Sequence, residues 1–144
     1  MNLYQIELKR YNTTEIVAAE TAGKAKYSLF RRLDECFDDF EEFVHCVRSC
    51  TKISNFQKED LLETKEEFFK DIAHRRGVPL VKPGTKVKFW DEQSHNSYGE
   101  GVIVGANNSC NFNIFFKNIG IVNCHPHDFI FYDDYDNILY DFTP

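Results

Sequence analysis

Five short apolar runs, separated by turn-forming residues, occupy the last third of the chain. Each run has four or five residues and is rich in β-branched and aromatic side chains. The runs are Lys86–Trp90, Gly101–Gly105, Phe112–Phe116, Ile119–Asn123 and Phe129–Tyr132. Such runs, punctuated by Gly, Asn, Asp and Pro, predict short antiparallel strands. Because closure removes the exposed edges of so narrow a sheet, the pattern favours a small closed barrel.

We therefore predict an SH3-like antiparallel β-barrel over residues 78–144. The segment Val78–Gly84 contains two prolines and is interpreted as the joint to the preceding residues. Barrels of this kind bind partners more often than they catalyse reactions, and many unrelated partners use them. The fold class alone therefore assigns no function.

Residues 1–77 are predicted to form a separate small α+β unit with the order β-β-α-α-β-α. Apolar residues at 3–8 and at 16–19 mark two strands, which are joined by a polar connection. Thr21 is placed as the N-cap of a helix, because apolar residues then recur at spacings of three to four up to Phe37. Phe at every third position from Phe37 to Phe43 indicates that one face of the next segment is buried as well.

A strand and a helix complete the prediction for this unit. Val44–Ile53 is the predicted third strand. Thr64 and Glu67 have the spacing of a capping box, which predicts that a helix begins there. Gly77 is placed to end that helix, and Arg75 and Arg76 fall in its last turn, where the helix dipole favours cations.

The charge of the chain restricts the classes of partner. The formal net charge is −6, which disfavours a nonspecific nucleic-acid binder that works by neutralising phosphates. An acidic stretch is interpreted as a solvated helix face, with mimicry of nucleic-acid phosphates as the alternative. Its carboxylates are Asp34, Glu35, Asp38, Asp39, Glu41 and Glu42.

The cysteines are expected to be reduced thiols, and no metal or other cofactor is expected. Their number is odd and no C-x-x-C spacing occurs, which argues against a disulfide framework and a zinc knuckle. The nearest approach to a ligand cluster is Cys124–Asp128, which Cys110 or His95 would have to complete. We interpret His125-Pro126 instead as a turn into the last strand.

Motifs of catalysis are missing from the sequence. It contains no phosphate-binding glycine loop followed by Lys and Ser or Thr, no dinucleotide fingerprint, no H-E-x-x-H and no nucleophile elbow. The protein is therefore predicted not to be an enzyme. A small enzyme acting through Cys124 and His127 is the least favoured alternative.

An asparagine-rich stretch after the second run is the predicted recognition site. Asn side chains offer both hydrogen-bond donors and acceptors, so a cluster of them can specify a ligand at the mouth of a barrel. The structural alternative is that these residues hold unusual backbone angles in a loop. The predicted ligand-binding residues are Asn107, Asn108, Asn111, Asn113, Asn123, His125 and Tyr98.

Four stretches of the chain resemble small, uncharacterised proteins encoded by bacteriophages and prophages. They are Glu20–Tyr27, Arg75–Pro79, Gly101–Phe112 and Val122–Pro126. The resemblance implies a viral accessory protein that acts in the bacterial cytoplasm. It transfers no catalytic or binding residue. Proteins of this kind commonly counter host defences, by inhibiting a defence protein or by sequestering a nucleotide signal.

The resulting hypothesis is a non-catalytic, phage-encoded binding protein that counters a bacterial immune system. Its expected partner is a host defence protein or a nucleotide signal molecule, and the high aromatic content predicts a homodimer. No run approaches the ~18 apolar residues of a membrane span, and the N-terminal residues lack the pattern of a signal peptide, so a cytoplasmic location is expected. The rival hypothesis is a nucleic-acid-associated protein with a basic patch on the first helix. That patch comprises Lys24, Lys26, Arg31 and Arg32.

Overall fold

The computed structural model describes residues 1–53, 65–91, 93 and 98–144, with the side chains of Tyr11 and Asp34 left out. The described residues form a mixed α+β protein of three α-helices and nine β-strands, and the strands pair antiparallel. The chain divides into two compact units. The first comprises Met1–Phe56 and Asn118–Gly120, and the second comprises Gln57–Lys117 and Ile121–Pro144. The predicted boundary between residues 77 and 78 stays a prediction.

The sheet of the first unit has the strand order β3-β1-β2. Its strands are β1 (Asn2–Leu8), β2 (Thr13–Ala19) and β3 (Val47–Ile53). Alternate residues of β1, including Ile6 and Leu8, are buried, as the period of a strand requires. On the outer side of β2, Val17 pairs with Gly120, and Ala18 N donates a hydrogen bond to Ile119 O over 3.0 Å.

Two helices complete the first unit. They are α1 (Ala22–Arg32) and α2 (Phe40–Cys46). The Thr21 hydroxyl accepts a hydrogen bond from Lys24 N over 3.2 Å, which confirms the predicted N-cap. Leu29 of α1 and Phe43 of α2 are fully buried in one apolar cluster with Ile6 and Val17 of the sheet.

The third strand begins later than the sequence predicts. Val44–Cys46 form the last turn of α2, and β3 starts at Val47. The prediction was wrong at this end because Phe43 and Cys46, spaced by three residues, bury one helical face.

The first described element of the second unit is a helix, α3 (Glu66–Arg75). Phe69, Ile72 and Ala73 are its buried residues. The helix ends as predicted at Gly77, which has a φ of +76° and lets Val78 N donate to Ala73 O. Thr64 of the predicted capping box lies outside the described residues.

The strands of the second unit follow the order β7-β6-β5-β4-β8-β9. They are β4 (Lys86–Phe89), β5 (Gly101–Ala106), β6 (Phe112–Phe116), β7 (Gly120–Cys124), β8 (Phe129–Tyr132) and β9 (Ile138–Asp141). All five predicted runs are strands, with ends that differ by at most one residue. The sequence missed β9.

This sheet is not closed into a barrel among the residues that the structure describes. Closure would require β8 to pair with β7. Instead β8 pairs with β4 along one edge and with β9 along the other, so both of its edges are occupied. The predicted closure is absent for that reason.

Aromatic packing fixes α3 against this sheet. The rings of Phe69 in α3 and Phe112 in β6 are stacked, with centroids 5.2 Å apart. Because Phe112 is the first residue of β6, this contact places α3 near the loop that joins β5 to β6.

Candidate functional site

The loop between β5 and β6 forms hydrogen bonds to its own backbone. The Asn107 side-chain oxygen Oδ1 accepts from Ser109 N over 3.0 Å and from Asn111 N over 3.3 Å. Asn107 N donates to Asn111 O, and Cys110 N donates to Asn107 O. Asn107 therefore stabilises the loop itself, which is the structural role that the sequence analysis gave as the alternative to ligand binding.

Cys110 has the most constrained backbone of this loop. Its φ is +60°, the left-handed region that few residues other than glycine and asparagine adopt readily. The loop therefore needs contacts outside itself to hold this conformation.

Arg76, which caps the C-terminus of α3, supplies those contacts. Its Nε donates to Cys110 O over 2.6 Å, and its Nη2 donates to Asn111 Oδ1 over 3.0 Å and to Ser109 O over 3.4 Å. A guanidinium group presents several donors in one rigid plane, so it can bind three oxygen acceptors of one loop at once. Arg76 therefore fixes the loop to the end of the helix.

The turn after β7 meets the same arginine. Arg76 Nη1 lies 3.1 Å from His125 Nε2, and His127 Nε2 lies 3.2 Å from Arg76 O, to which it donates. His127 N in turn donates to His125 Nδ1 over 3.1 Å. The His127 ring also stacks on Phe142, with centroids 4.4 Å apart. The predicted turn at His125-Pro126 is confirmed as a short 3₁₀ turn over Pro126–Asp128.

The surroundings of His125 favour its neutral form. Partial burial lowers its pKa below the ordinary value of 6.5, and the charge of Arg76 and the ring of His127 lower it further, while Asp128 opposes them. Both ring nitrogens face N–H donors, so a protonated ring would place an N–H against a donor on each side.

Arg76 contacts two of the predicted site residues, Asn111 and His125, and Asn107 is joined to them by its hydrogen bond from Asn111 N. Asn108 is exposed at the tip of the same loop. Asn123 Nδ2 donates to Asn113 Oδ1 over 2.8 Å and to Phe112 O over 3.4 Å, which joins β7 to β6 beside the loop.

Tyr98 is not part of this group. Its ring contacts Phe89 and Phe116, with centroids 5.2 and 5.0 Å away. Phe116 ends β6, whereas the asparagine loop precedes its first residue, so Tyr98 lies at the other end of that strand. Its place in the predicted site is not supported by the geometry.

The sequence missed Arg76 as a member of the site. It was interpreted as a cation that complements the helix dipole, which is the usual role of Arg in a last turn. One signal was available. A loop rich in Asn and bent through a left-handed residue exposes carbonyl oxygens, and an arginine beside a helix-ending glycine can reach such a group.

The four basic residues of α1 that the rival hypothesis names differ in their surroundings. Lys24 Nζ forms an ion pair with Glu20 Oε2 over 2.9 Å. The Nε and Nη2 atoms of Arg32 are buried. Its charge acts on Glu15: burial raises the pKa of that carboxyl group, and the positive charge of Arg32 opposes the rise. Two of the four cations therefore already act on carboxylates of the chain.

Two carboxylates of the acidic stretch form hydrogen bonds that stabilise the first unit. Asp39 Oδ1 accepts from Glu42 N over 2.8 Å as the N-cap of α2, and Glu42 Oε2 accepts from Asp38 N over 2.7 Å. Glu42 Oε1 accepts from Arg10 Nη2 over 2.7 Å. Asp39 and Glu42 therefore stabilise the start of α2, so these two carboxylates have partners within the chain and do not only face solvent.

All five cysteines are free thiols. Among the described residues, no group of three or more His, Cys, Asp or Glu side chains could hold a metal ion. His95, named above as a possible ligand, lies outside the described residues. No described helix is long and apolar enough to cross a membrane.

A cavity of about 520 Å³ lies beside α3. Its walls include Phe69, Pro79, Leu80 and Val81. None of the seven predicted ligand-binding residues lines it. Small-molecule sites are usually concave and enclosing, whereas the asparagine loop and the His125 turn form an exposed polar surface.

Comparison of the chain with models of protein families, with curated proteins and with solved structures gave no match.

Proposed function

We propose that this chain is a non-catalytic binding protein, encoded by a bacteriophage or prophage, that counters an immune system in the cytoplasm of its bacterial host. The resemblance described above supports its origin. Its recognition surface is the Asn107–Asn113 loop together with the turn at 123–128. We call this the loop surface.

The observation that carries the proposal is the set of hydrogen bonds from Arg76 to the loop. Three acceptors of the loop are bound by one guanidinium group, and a fourth contact reaches His125. A loop held in one conformation loses less conformational entropy when it binds a partner than a mobile loop would. An exposed, pre-ordered polar loop on a rigid sheet is the usual form of a recognition element.

The proposed fold of the second unit is an SH3-like barrel. Five strands, β4 to β8, form a meander in which the last strand returns to pair with the first. A 3₁₀ turn precedes that last strand. Both features support the SH3-like assignment, with β9 as an addition that keeps the sheet open.

The form of the loop surface favours a defence protein as partner over a nucleotide signal. A nucleotide would need an enclosing pocket, and the loop residues line no wall of the cavity beside α3. An exposed loop with both donors and acceptors suits the polar rim of a protein interface.

A plaque assay tests the proposal. The chain is expressed in bacterial strains that each carry one defence system, and plaques are counted for a phage that the system restricts. We expect plaques to recover in at least one strain. The informative variant is Asn108→Trp, because Asn108 is exposed and its new ring would obstruct a partner without disturbing the loop.

Asn118→Trp is the matched control, since Asn118 is an exposed asparagine of a turn outside the loop surface. We expect Asn108→Trp to abolish recovery and Asn118→Trp to retain it. Full activity of Asn108→Trp would contradict the proposal. Loss of activity in Glu35→Lys with Asp38→Lys, while Asn108→Trp stays active, would favour acidic mimicry instead.

A further inference from the structure

The two helices of the first unit share an apolar surface that the core does not cover. Tyr27 of α1 has 49% of its surface exposed and Val44 of α2 has 40%. The half-buried rings of Phe30 and Phe40 lie between them: the Phe40 centroid is 5.4 Å from that of Tyr27 and 5.5 Å from that of Phe30, and Phe40 precedes Val44 by one turn of α2. We call these four residues the aromatic patch. Contiguous exposed apolar surface of this kind marks an interaction site.

Opposite charges border the two sides of the aromatic patch. Residues of an α-helix advance by about 100° each, which places Arg31 on the side of Tyr27 that faces away from Phe30. The same geometry places Glu41 on the side of Val44 that faces away from Phe43. Both charged side chains are exposed, and Glu41 Oε1 also lies 3.9 Å from His45 Nε2 of the same helix. The patch therefore has a cation along its α1 border and a carboxylate along its α2 border.

This arrangement is complementary to itself. A two-fold axis that lies in the plane of the patch and runs between the two helices would lay α1 of one copy against α2 of the other, so that each Arg31 faces Glu41 of the partner subunit. The rings would then pack on one another while both charged borders find opposite charges. An unrelated partner would have to carry both charges in the matching order, whereas a second copy does so by construction.

We propose that the aromatic patch is a two-fold interface between two copies of this chain. The proposal does not depend on the loop surface, since none of the residues of the patch belongs to it. The patch is small beside the ~800 Å² per partner of a standard interface, so the dissociation constant is expected on the order of 10 µM.

Sedimentation velocity on the full chain measures this constant. We expect Tyr27→Ala with Val44→Ser to raise it at least tenfold. Tyr135→Ala is the control, because Tyr135 is 85% exposed but lies outside the patch, and it should leave the constant unchanged. A chain that stays monomeric at about 100 µM would overturn the proposal.

A mixing experiment tests the two-fold geometry itself. Arg31→Glu alone and Glu41→Arg alone should each dimerise at least tenfold more weakly, because each homodimer then holds two pairs of like charges. A mixture of the two variants should form a heterodimer of near wild-type affinity, since every pair is again of opposite sign. Loss of folding cannot produce this result, because mixing would not repair it. Failure of the mixture to associate would overturn the two-fold arrangement.

Discussion

Arg76 Nη1 lies 3.1 Å from His125 Nε2, while the other donors of the same guanidinium group bind the loop between β5 and β6. One side chain therefore links a helix end, a left-handed loop and the turn after β7. These three segments are far apart in sequence, since Arg76 and His125 are separated by 49 residues. Their contact makes the loop surface a single structural element.

Arg76→Ala should loosen the loop and destabilise the second unit. The carbonyl of Cys110 and the amide of Asn111 would lose their donor in a partly buried position, which costs about 1–3 kcal/mol. Chemical denaturation measures the loss, and amide hydrogen exchange at 108–111 should accelerate.

Lys70→Ala is the matched control for that variant. Lys70 forms an exposed ion pair with Glu66 over 2.9 Å on the same helix, and pairs of this kind contribute less than about 1 kcal/mol. Arg76→Lys should retain only part of the stability, because an ammonium group cannot bind three acceptors in one plane. Equal stability of the Lys70→Ala and Arg76→Ala variants would show that the guanidinium contacts do not hold the loop.

His125 should make stability fall at mildly acidic pH. Its pKa is lower in the folded chain than the ordinary 6.5, so the unfolded chain binds the proton more readily. The free energy of unfolding therefore decreases as the pH falls from 6.5 towards the folded pKa, and it changes no further through this group below that value. The effect is small because the ring is largely exposed.

Denaturation of the wild type and of His125→Gln at several pH values isolates this contribution, because the other histidines are common to both. We expect the difference in stability between the two proteins to shrink as the pH falls. An NMR titration should also show that Arg76→Gln raises the pKa of His125, though not fully to its ordinary value, since partial burial is the larger cause. A pKa of His125 that does not respond to Arg76→Gln would contradict the assigned cause.

Gly120→Ala should destabilise the first unit severely. Gly120 has a φ of +111°, and a methyl group there would overlap the backbone carbonyl of Ile16 in β2. Both the strained backbone and the clash with main-chain atoms oppose the substitution, so we expect a loss of at least about 3 kcal/mol in chemical denaturation. Gly23→Ala is the control, because its methyl group would meet open space and alanine favours a helix by up to about 1 kcal/mol. A mild effect of Gly120→Ala would mean that residues 118–120 do not pack against β2 in solution.

The strands of the second unit could be predicted because each one carries its own signal. Short β-branched and aromatic runs bounded by turn residues place Phe112–Phe116 and Phe129–Tyr132 without reference to the rest of the chain. The end of α2 was missed because Val44–Cys46 suit a strand locally, and only the burial of Phe43 and Cys46 on one face decides for a helix. The missed strand β9 is short and largely exposed, so its burial pattern carries little signal.

The candidate site was predicted less completely than the fold, since its members meet through tertiary contacts. Asn107 and Asn111 share one loop, and a turn signal found them. Arg76 reaches Cys110 across 34 residues, and an arginine beside a helix-ending glycine does not by itself identify the loop that it binds. Tyr98 was grouped with the loop as an aromatic residue expected to be exposed, whereas its ring contacts Phe116 at the other end of β6.

Asp39→Ala should unfold the start of α2 and lower stability by about 1 kcal/mol, the usual value of an N-cap. Its carboxylate accepts from Glu42 N, and the Glu42 carboxylate in turn accepts from Asp38 N and from Arg10, so the substitution removes one member of a connected group of hydrogen bonds.

The stability of this group also depends on pH through Glu42. The hydrogen bond from Arg10, followed by the one from Asp38 N, lowers the pKa of Glu42 below 4.5. The stability that this carboxylate provides is therefore present above pH 4.5 and is lost as the pH falls through the folded value. Glu35→Ala, an exposed carboxylate of the same stretch, is the control and should change stability by less than about 0.5 kcal/mol in the same denaturation experiment. If both variants are equally stable, the acidic stretch is a solvated face after all, and its carboxylates are free to serve recognition.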